Sequence, residues 1–143
     1  MLRRLLFAVA VLLAGAVAVP ALAQSAKPPL FVNIVTAEAW RGWTGIRFAD
    51  SEMSAGHRVT LYLNLDGVKL MIPPPKDPKK RPKWITRDAL ADFIQHGGTV
   101  IVCGACMDEF RLSRSLLLAG MQMDEGDKLE TALFLPFTET LTW

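Results

Sequence analysis

Short runs of β-branched and aromatic residues alternate with helical segments along this chain. The runs over residues 30–36, 59–65 and 99–102 have the composition of strands that are buried on both faces. Amphipathic segments lie between them and end at Gly56 and at Gly97. This order predicts βαβ units, and therefore an α/β fold with a mainly parallel sheet of about five strands and helices on both faces, in a flavodoxin-like three-layer arrangement.

Boundaries are also predicted for the remaining elements. Thr86 is expected to cap the second helix, with Ile85 and Leu90 spaced as a hydrophobic staple. A short helix is expected over residues 115–119, and another is expected to begin near Asp124. Residues 138–143 have the pattern of a last strand.

The first 23 residues have the three parts of an export signal. Arg3 and Arg4 are followed by an apolar run over residues 5–19 and by small residues before Gln24. The run is shorter than the roughly 20 residues that a membrane-spanning helix needs. We therefore expect cleavage after Ala23 and a periplasmic protein of one domain, residues 24–143, without a stable membrane anchor. A retained N-terminal anchor is the alternative.

The balance of charge removes the simplest argument for a nucleic acid as partner. Without Arg3 and Arg4, the chain holds 14 basic and 14 acidic side chains. The same argument applies to an anionic membrane surface. The composition is that of a globular protein and excludes a disordered or collagen-like chain.

Cys103 and Cys106 are the only cysteines, and they form a C-x-x-C motif directly after the third predicted strand. In a parallel sheet this turn lies at the carboxyl edge, where the unpaired N–H groups of a following helix favour thiolate over thiol. Gly104 and Ala105 keep the turn small, so that another molecule's sulfur can approach. The pair therefore predicts sulfur chemistry, with a structural disulfide as the alternative.

Other candidate binding residues are expected at the same edge. Trp40, Arg41 and Trp43 follow the first strand, and a basic Pro-rich loop over residues 73–83 follows the second. Arg41 and the lysines of this loop, Lys79 and Lys80 among them, would stabilise negative sulfur or attract an anionic donor. The alternatives are a solvated, charge-extended loop and tryptophans that make ordinary core or oligomer contacts.

No cofactor or metal site is predicted. Zinc usually requires four ligands, and His57 and His96 are expected at the opposite edge of the sheet from the cysteines. Met107, Met121 and Met123 would suit a soft ion such as Cu(I), but methionines more often fill a core.

Residues 30–143 resemble the DsrE/DsrF-like family of small sulfur-handling proteins. The resemblance rests on Val-Ile-Val-Cys-Gly-Ala-Cys at 100–106, Leu-Ala-Gly-Met at 118–121 and the Leu-Thr-Trp ending. It implies a DsrE-like domain, a persulfide on Cys103, a second cysteine at Cys106 that only some branches have, and a homo-oligomer. The chain departs from the pattern at residues 110–112, where many members have Arg-Gly and an aliphatic residue, and in its longer basic loop and its export signal.

The predicted function is that of a persulfide carrier or a sulfurtransferase-like protein. Its partners would be sulfur donor and acceptor proteins or small sulfane-sulfur compounds. Cys103 would take the outer sulfur of a donor, and Cys106 would displace it by forming a disulfide. Two alternatives stay open: a non-catalytic interaction or structural module with a stable disulfide, and a dithiol oxidoreductase. The aromatic residue and cis-proline loop usual in thioredoxin-type sites are not recognisable in the sequence.

Overall fold

The computed structural model describes residues 27–143. They form a five-stranded sheet in the order β4-β3-β2-β1-β5, in which every neighbouring pair is parallel. The predicted α/β class with a parallel sheet is therefore confirmed. The strands are β1 Leu30–Ile34, β2 Val59–Leu63, β3 Thr99–Val102, β4 Met121–Met123 and β5 Glu139–Thr142, and the helices are α1 Ala39–Ser54, α2 Thr86–Gln95, α3 Gly104–Glu109 and α4 Lys128–Leu133.

The main core lies between the sheet and the helices α1 and α2, which pack against each other. Ile46 of α1 and Phe93 of α2 are completely buried, as are the in-register strand residues Val32, Leu61 and Val100. All five residues of β2 are buried, as the apolar run predicted. Burial of these apolar side chains is the main source of the fold's stability.

The opposite face of the sheet is covered by α4, a helix of six residues. Phe31, Asn33 and Tyr62 point to this face and, with Leu129 and Leu133 of α4, line a cavity of about 250 Å³. The Asn33 side-chain oxygen is buried there without a hydrogen-bond partner among the described residues. This face is therefore less completely packed than the face that carries α1 and α2.

Two predictions for the C-terminal half are wrong. Residues 121–123 form β4, although no strand was predicted there, and β4 is placed by pairing with β3, from Val100↔Met121 to Val102↔Met123. The helix predicted over residues 115–119 is only a 3-10 turn, Arg114–Leu116. In both segments the three-residue elements are too short to produce a clear periodic pattern.

The predicted cap of the second helix is also wrong. Ile85 occupies the N-cap position of α2, and no side chain caps this end. Thr86 is the first helical residue, and its hydroxyl donates a hydrogen bond to the Leu70 carbonyl at 2.6 Å. Thr86 therefore ties α2 to the 3-10 helix Leu65–Met71, which follows β2.

The predicted export signal, residues 1–23, lies outside the described residues. Within residues 27–143, no helix combines the length and the apolar character that crossing a membrane requires. The Pro-rich loop contains one short 3-10 helix, Pro78–Lys80, which carries the exposed Lys79 and Lys80.

The Cys103-Cys106 site

Cys103 and Cys106, called the cysteine pair from here on, lie where β3 ends and α3 begins. Their sulfurs are 2.19 Å apart and their Cα atoms 5.3 Å apart, so the two residues form a disulfide. Cys103 occupies the N-cap position of α3, and its Sγ accepts a hydrogen bond from the Cys106 N–H at 3.1 Å. The pair thus lies at a strand-to-helix turn on the carboxyl edge of the sheet, where the sequence places it.

The two sulfur-bearing residues differ in exposure. Cys103 is only 6% exposed and belongs to the hydrophobic core. Cys106 is half-buried and lines a surface cavity. In the disulfide form, therefore, the residue that a second molecule can reach is Cys106, whereas the sequence suggested an open Cys103.

The backbone after β2 contacts Cys106 directly. The Leu65 N–H points at Cys106 Sγ at 3.2 Å, and the same N–H donates to the Asn64 side-chain oxygen at 2.8 Å. That oxygen also lies 3.2 Å from Cys106 Sγ. Leu65 has a φ of 48°, a left-handed conformation that is uncommon for residues other than glycine. Strain of this kind is often found at functional sites.

Asp124, directly after β4, connects the site to the sheet. One of its carboxylate oxygens accepts a hydrogen bond from the Gly104 N–H at 2.9 Å, and the other accepts one from the Tyr62 hydroxyl at 2.9 Å. The first N–H of α3 is therefore used by Asp124, and the Cys106 N–H is the one that contacts Cys103 Sγ.

Tyr62 is held in its neutral form. Burial raises the pKa of its hydroxyl well above the ordinary value of 10.0, and the hydrogen bond to Asp124 and that carboxylate's negative charge raise the pKa further. Tyr62 is therefore a permanent hydrogen-bond donor at physiological pH.

Gly104 and Ala105 have different environments within the turn. A Cβ on Gly104 would lie 3.2 Å from the Met123 side chain and 3.3 Å from Asp124, so this position faces inward. Ala105 is exposed and lines the cavity next to Cys106. Of the two small residues, only Ala105 borders the space that a second molecule would enter.

The cavity beside Cys106, called the Cys106 cavity, has a volume of about 350 Å³. Its lining consists of Leu65, Asp66, Ala105, Cys106, Glu109 and Phe110. Leu65 is 57% exposed, so this apolar side chain of the lining is accessible to solvent. The Lys69 ammonium lies 3.6 Å from the centre of the Phe110 ring and pairs with Asp66.

A protein-family model matches the part of the chain that contains the cysteine pair. The model of the DsrE/DsrF-like family matches residues 30–134, a span that contains the cysteine pair and four of the five strands. The chain belongs to the DsrE/DsrF-like family. The predicted resemblance is thereby confirmed.

Among solved structures, the YchN protein from E. coli is similar to this DsrE/DsrF-like chain. The TM-score is 0.65 at 16% sequence identity, and the match covers 81% of this chain and 99% of that chain. Since the identity is low, this likeness shows a shared fold. No curated protein matches the chain.

The tryptophans predicted at the carboxyl edge of this DsrE/DsrF-like domain form a cluster. Trp84 lies between Trp40 and Trp43, with ring centroids 4.4 Å and 4.7 Å away. Trp84 was not singled out from the sequence. Lys83 lies over its ring at 4.6 Å, so the cluster is connected to the Pro-rich loop. Trp40 is 47% exposed, which leaves part of the cluster on the surface.

The predicted cations are exposed and separate from the cysteine pair. The Arg41 side chain is 74% exposed, and its Nε lies 4.0 Å from Glu38. Within the described part of the chain, no hydrogen bond or ion pair links Arg41, Lys79 or Lys80 to either cysteine. Their roles in substrate binding, like that of the tryptophans, stay predictions.

The histidines lie at the ends of α1 and α2 that are opposite to the site. His57 Nδ1 is 2.8 Å from the Pro28 carbonyl, and His96 Nδ1 is 2.7 Å from the buried Asp50 carboxylate. No cluster of three or more His, Cys, Asp and Glu side chains in residues 27–143 is placed to hold a metal ion. Met107 and Met123 are buried in the core, against which Met121 packs.

Proposed function

We propose that this protein is a periplasmic persulfide carrier or sulfurtransferase-like protein that works with the cysteine pair. Membership of the DsrE/DsrF-like family supports a sulfur-relay role in general. The observation that carries the proposal is the position of the two cysteines: they lie within bonding distance of each other, at a strand-to-helix turn that borders a surface cavity. An exported location agrees with a pair that forms a disulfide.

The reaction begins from the reduced pair. The Cys103 thiolate attacks the outer sulfur of a donor R–S–SH, the bond between the two donor sulfurs breaks, and R–S⁻ leaves and takes up a proton. The product is a persulfide on Cys103. The Cys106 N–H, 3.1 Å from Cys103 Sγ, is placed to stabilise negative charge on that sulfur.

Two routes discharge the persulfide. An acceptor thiolate takes the outer sulfur and regenerates the Cys103 thiolate. Alternatively, the Cys106 thiolate attacks the inner sulfur, forms the disulfide and releases hydrosulfide, after which an external thiol must reduce the pair. Donor and acceptor are sulfur-carrying proteins or small sulfane-sulfur compounds.

Sulfur uptake tests the proposal. The reduced protein is incubated with a sulfane-sulfur donor and its intact mass is measured. We expect the wild type and Cys106→Ser to gain the mass of one sulfur atom, with longer retention in Cys106→Ser because the resolving thiol is absent. Cys103→Ser should gain none. Uptake that persists in Cys103→Ser would contradict the assignment.

The burial of Cys103 favours a second candidate, a structural module with a stable disulfide. This candidate predicts a lower melting temperature after reduction and no sulfur uptake. It also predicts a reduction potential below about −300 mV, whereas a working pair has a higher one.

We also propose that the protein is a homo-oligomer in which the α4 side of the domain is covered by a second copy. Phe134 and Phe137, which follow α4, are 74% and 87% exposed. The incompletely packed cavity under α4 lies on the same side. Exposed aromatic side chains next to an apolar cavity are typical of a protein interface.

A further inference from the structure

The Cys106 cavity selects for one class of sulfur compound, and this inference rests on the proposed function. We infer that the cavity binds the substituent R of the small thiols that reduce the disulfide, that R is apolar and uncharged, and that anionic thiols are disfavoured. The family assignment does not specify the substituent. Its chemistry follows from the side chains around Cys106.

The walls of the cavity include apolar side chains. Leu65, Ala105 and Phe110 are the apolar residues that line it together with Cys106. The Leu65 side chain is half-exposed and does not belong to the hydrophobic core. A volume of about 350 Å³ is in the range of small-molecule sites. An apolar group that enters this space loses its contact with water, which favours binding.

The charged residues of the cavity are acidic. Asp66 and Glu109 both line it. Lys69 pairs with Asp66 and lies against Phe110, so one carboxylate is neutralised. Glu109 makes no ion pair within the described residues. The net charge beside Cys106 is therefore negative, and a carboxylate on the substituent would be repelled.

The same cavity orients attack on the disulfide. A thiolate R–S⁻ whose substituent occupies the cavity meets Cys106, because Cys106 lines the cavity whereas Cys103 is buried and does not. The new bond joins the incoming sulfur to Cys106 Sγ, the bond between the two cysteines breaks, and the electron pair stays on Cys103 Sγ. The Cys106 N–H stabilises that leaving thiolate. A second R–S⁻ then attacks the bound sulfur, which releases R–S–S–R and leaves the reduced pair.

Matched thiols test this inference on the oxidised protein. Mercaptoacetate, its uncharged analogue mercaptoacetamide, and benzyl mercaptan are compared as reductants, and newly free thiols are counted by alkylation and mass spectrometry. Each rate is divided by the rate of the same thiol with a small-molecule disulfide, which removes differences in intrinsic nucleophilicity. We expect benzyl mercaptan to exceed mercaptoacetamide about tenfold and mercaptoacetamide to exceed mercaptoacetate about fivefold.

Variants locate the selectivity in the cavity. Phe110→Ala should remove most of the preference for benzyl mercaptan, and Glu109→Gln should raise the relative rate of mercaptoacetate. Ile72→Ala and Glu139→Gln, which change exposed residues outside the cavity, are the controls and should leave both ratios unchanged. If Phe110→Ala does not fold, Leu65→Ala tests another apolar residue of the lining, since it keeps the N–H that contacts Cys106.

The attacked sulfur is identified after brief exposure to benzyl mercaptan. The exchange is stopped with acid, and the free thiol is then alkylated with N-ethylmaleimide. The substituent should be on Cys106 and the maleimide on Cys103. Equal normalised rates, faster reaction with mercaptoacetate, a substituent on Cys103, or a pair inert to all three thiols would each overturn the inference. The sulfur-uptake assay is separate, so loss of selectivity with retained uptake contradicts the inference while the proposed function stands.

Discussion

The two faces of the sheet are built differently. On one face, α1 with 16 residues and α2 with 10 cover side chains that are fully buried. On the other, the six-residue α4 leaves a cavity and an unpartnered Asn33 oxygen. Most of the buried apolar side chains that stabilise the domain therefore lie on the α1 and α2 face.

The less completely packed face is connected by hydrogen bonds to the turn that carries the cysteine pair. Tyr62 lies on it and donates to Asp124, and Asp124 in turn accepts the Gly104 N–H at the start of α3. Stability is therefore concentrated on one face, while the hydrogen bonds from Tyr62 through Asp124 to the cysteine turn extend from the other.

The largest expected difference between the faces is in stability. Leu90→Ala removes a completely buried side chain of α2, and we expect a loss of about 2–5 kcal/mol in the free energy of unfolding. Leu133→Ala on α4, the matched change on the other face, should cost about 1 kcal/mol. Urea unfolding measures both. Equal losses would contradict the comparison.

The next effect concerns association through the α4 side. The double change Phe134→Ser with Phe137→Ser should reduce the molar mass in light scattering to that of one chain, because it removes the two most exposed aromatic rings of residues 27–143. Ile72→Ser, which changes an apolar residue that is 43% exposed, is the control and should keep the mass of the wild type. A wild-type protein that is already monomeric would contradict the proposed interface.

A smaller effect is expected at the site itself. Asp124→Asn keeps an oxygen for the Gly104 N–H but removes the negative charge at the first residue of α3, directly after Cys103 in the chain. We expect the reduced protein to be alkylated at Cys103 several-fold faster, because a nearby carboxylate disfavours the thiolate. Asp127→Asn, three residues further along the chain, should leave the rate unchanged. If Asp124→Asn does not alter the rate either, the link between Asp124 and the sulfur is structural only.

The smallest effect is a shift in titration. Tyr62 is the only tyrosine, so tyrosinate absorbance reports on it alone. Its raised pKa predicts no ionisation in the folded protein near pH 10, where the unfolded chain titrates. The associated stability is fully present below about pH 10 and falls as pH rises toward the folded pKa.

Tyr62→Phe is the matched variant for this titration. It should lose this part of the pH dependence of stability, which urea unfolding at several pH values measures. A folded-state midpoint near 10 in the wild type would show that neither burial nor Asp124 holds the hydroxyl neutral.

Much of the fold could be predicted from local sequence. The strands β1, β2 and β3, the long helix α1 and the last strand are present, because runs of β-branched residues and helical spacing of apolar residues are local signals. Strand β4 was missed, since three residues carry no period and their pairing with Val100 and Val102 decides their structure. Thr86 was assigned to a cap for a similar reason: its partner, the Leu70 carbonyl, is 16 residues away.

The site was predicted only in part. The sequence by itself placed the cysteine pair at the carboxyl edge, because a C-x-x-C motif directly after a buried strand has no other position in a parallel sheet. Only the tertiary structure brought Asn64, Leu65 and Asp124 to it, across 42, 41 and 20 residues of chain. Local patterns encode which residues form strands, whereas strand order and register decide which strand ends meet. The partners of the two sulfurs, and the greater burial of Cys103, therefore depend on packing that no segment of the chain specifies alone.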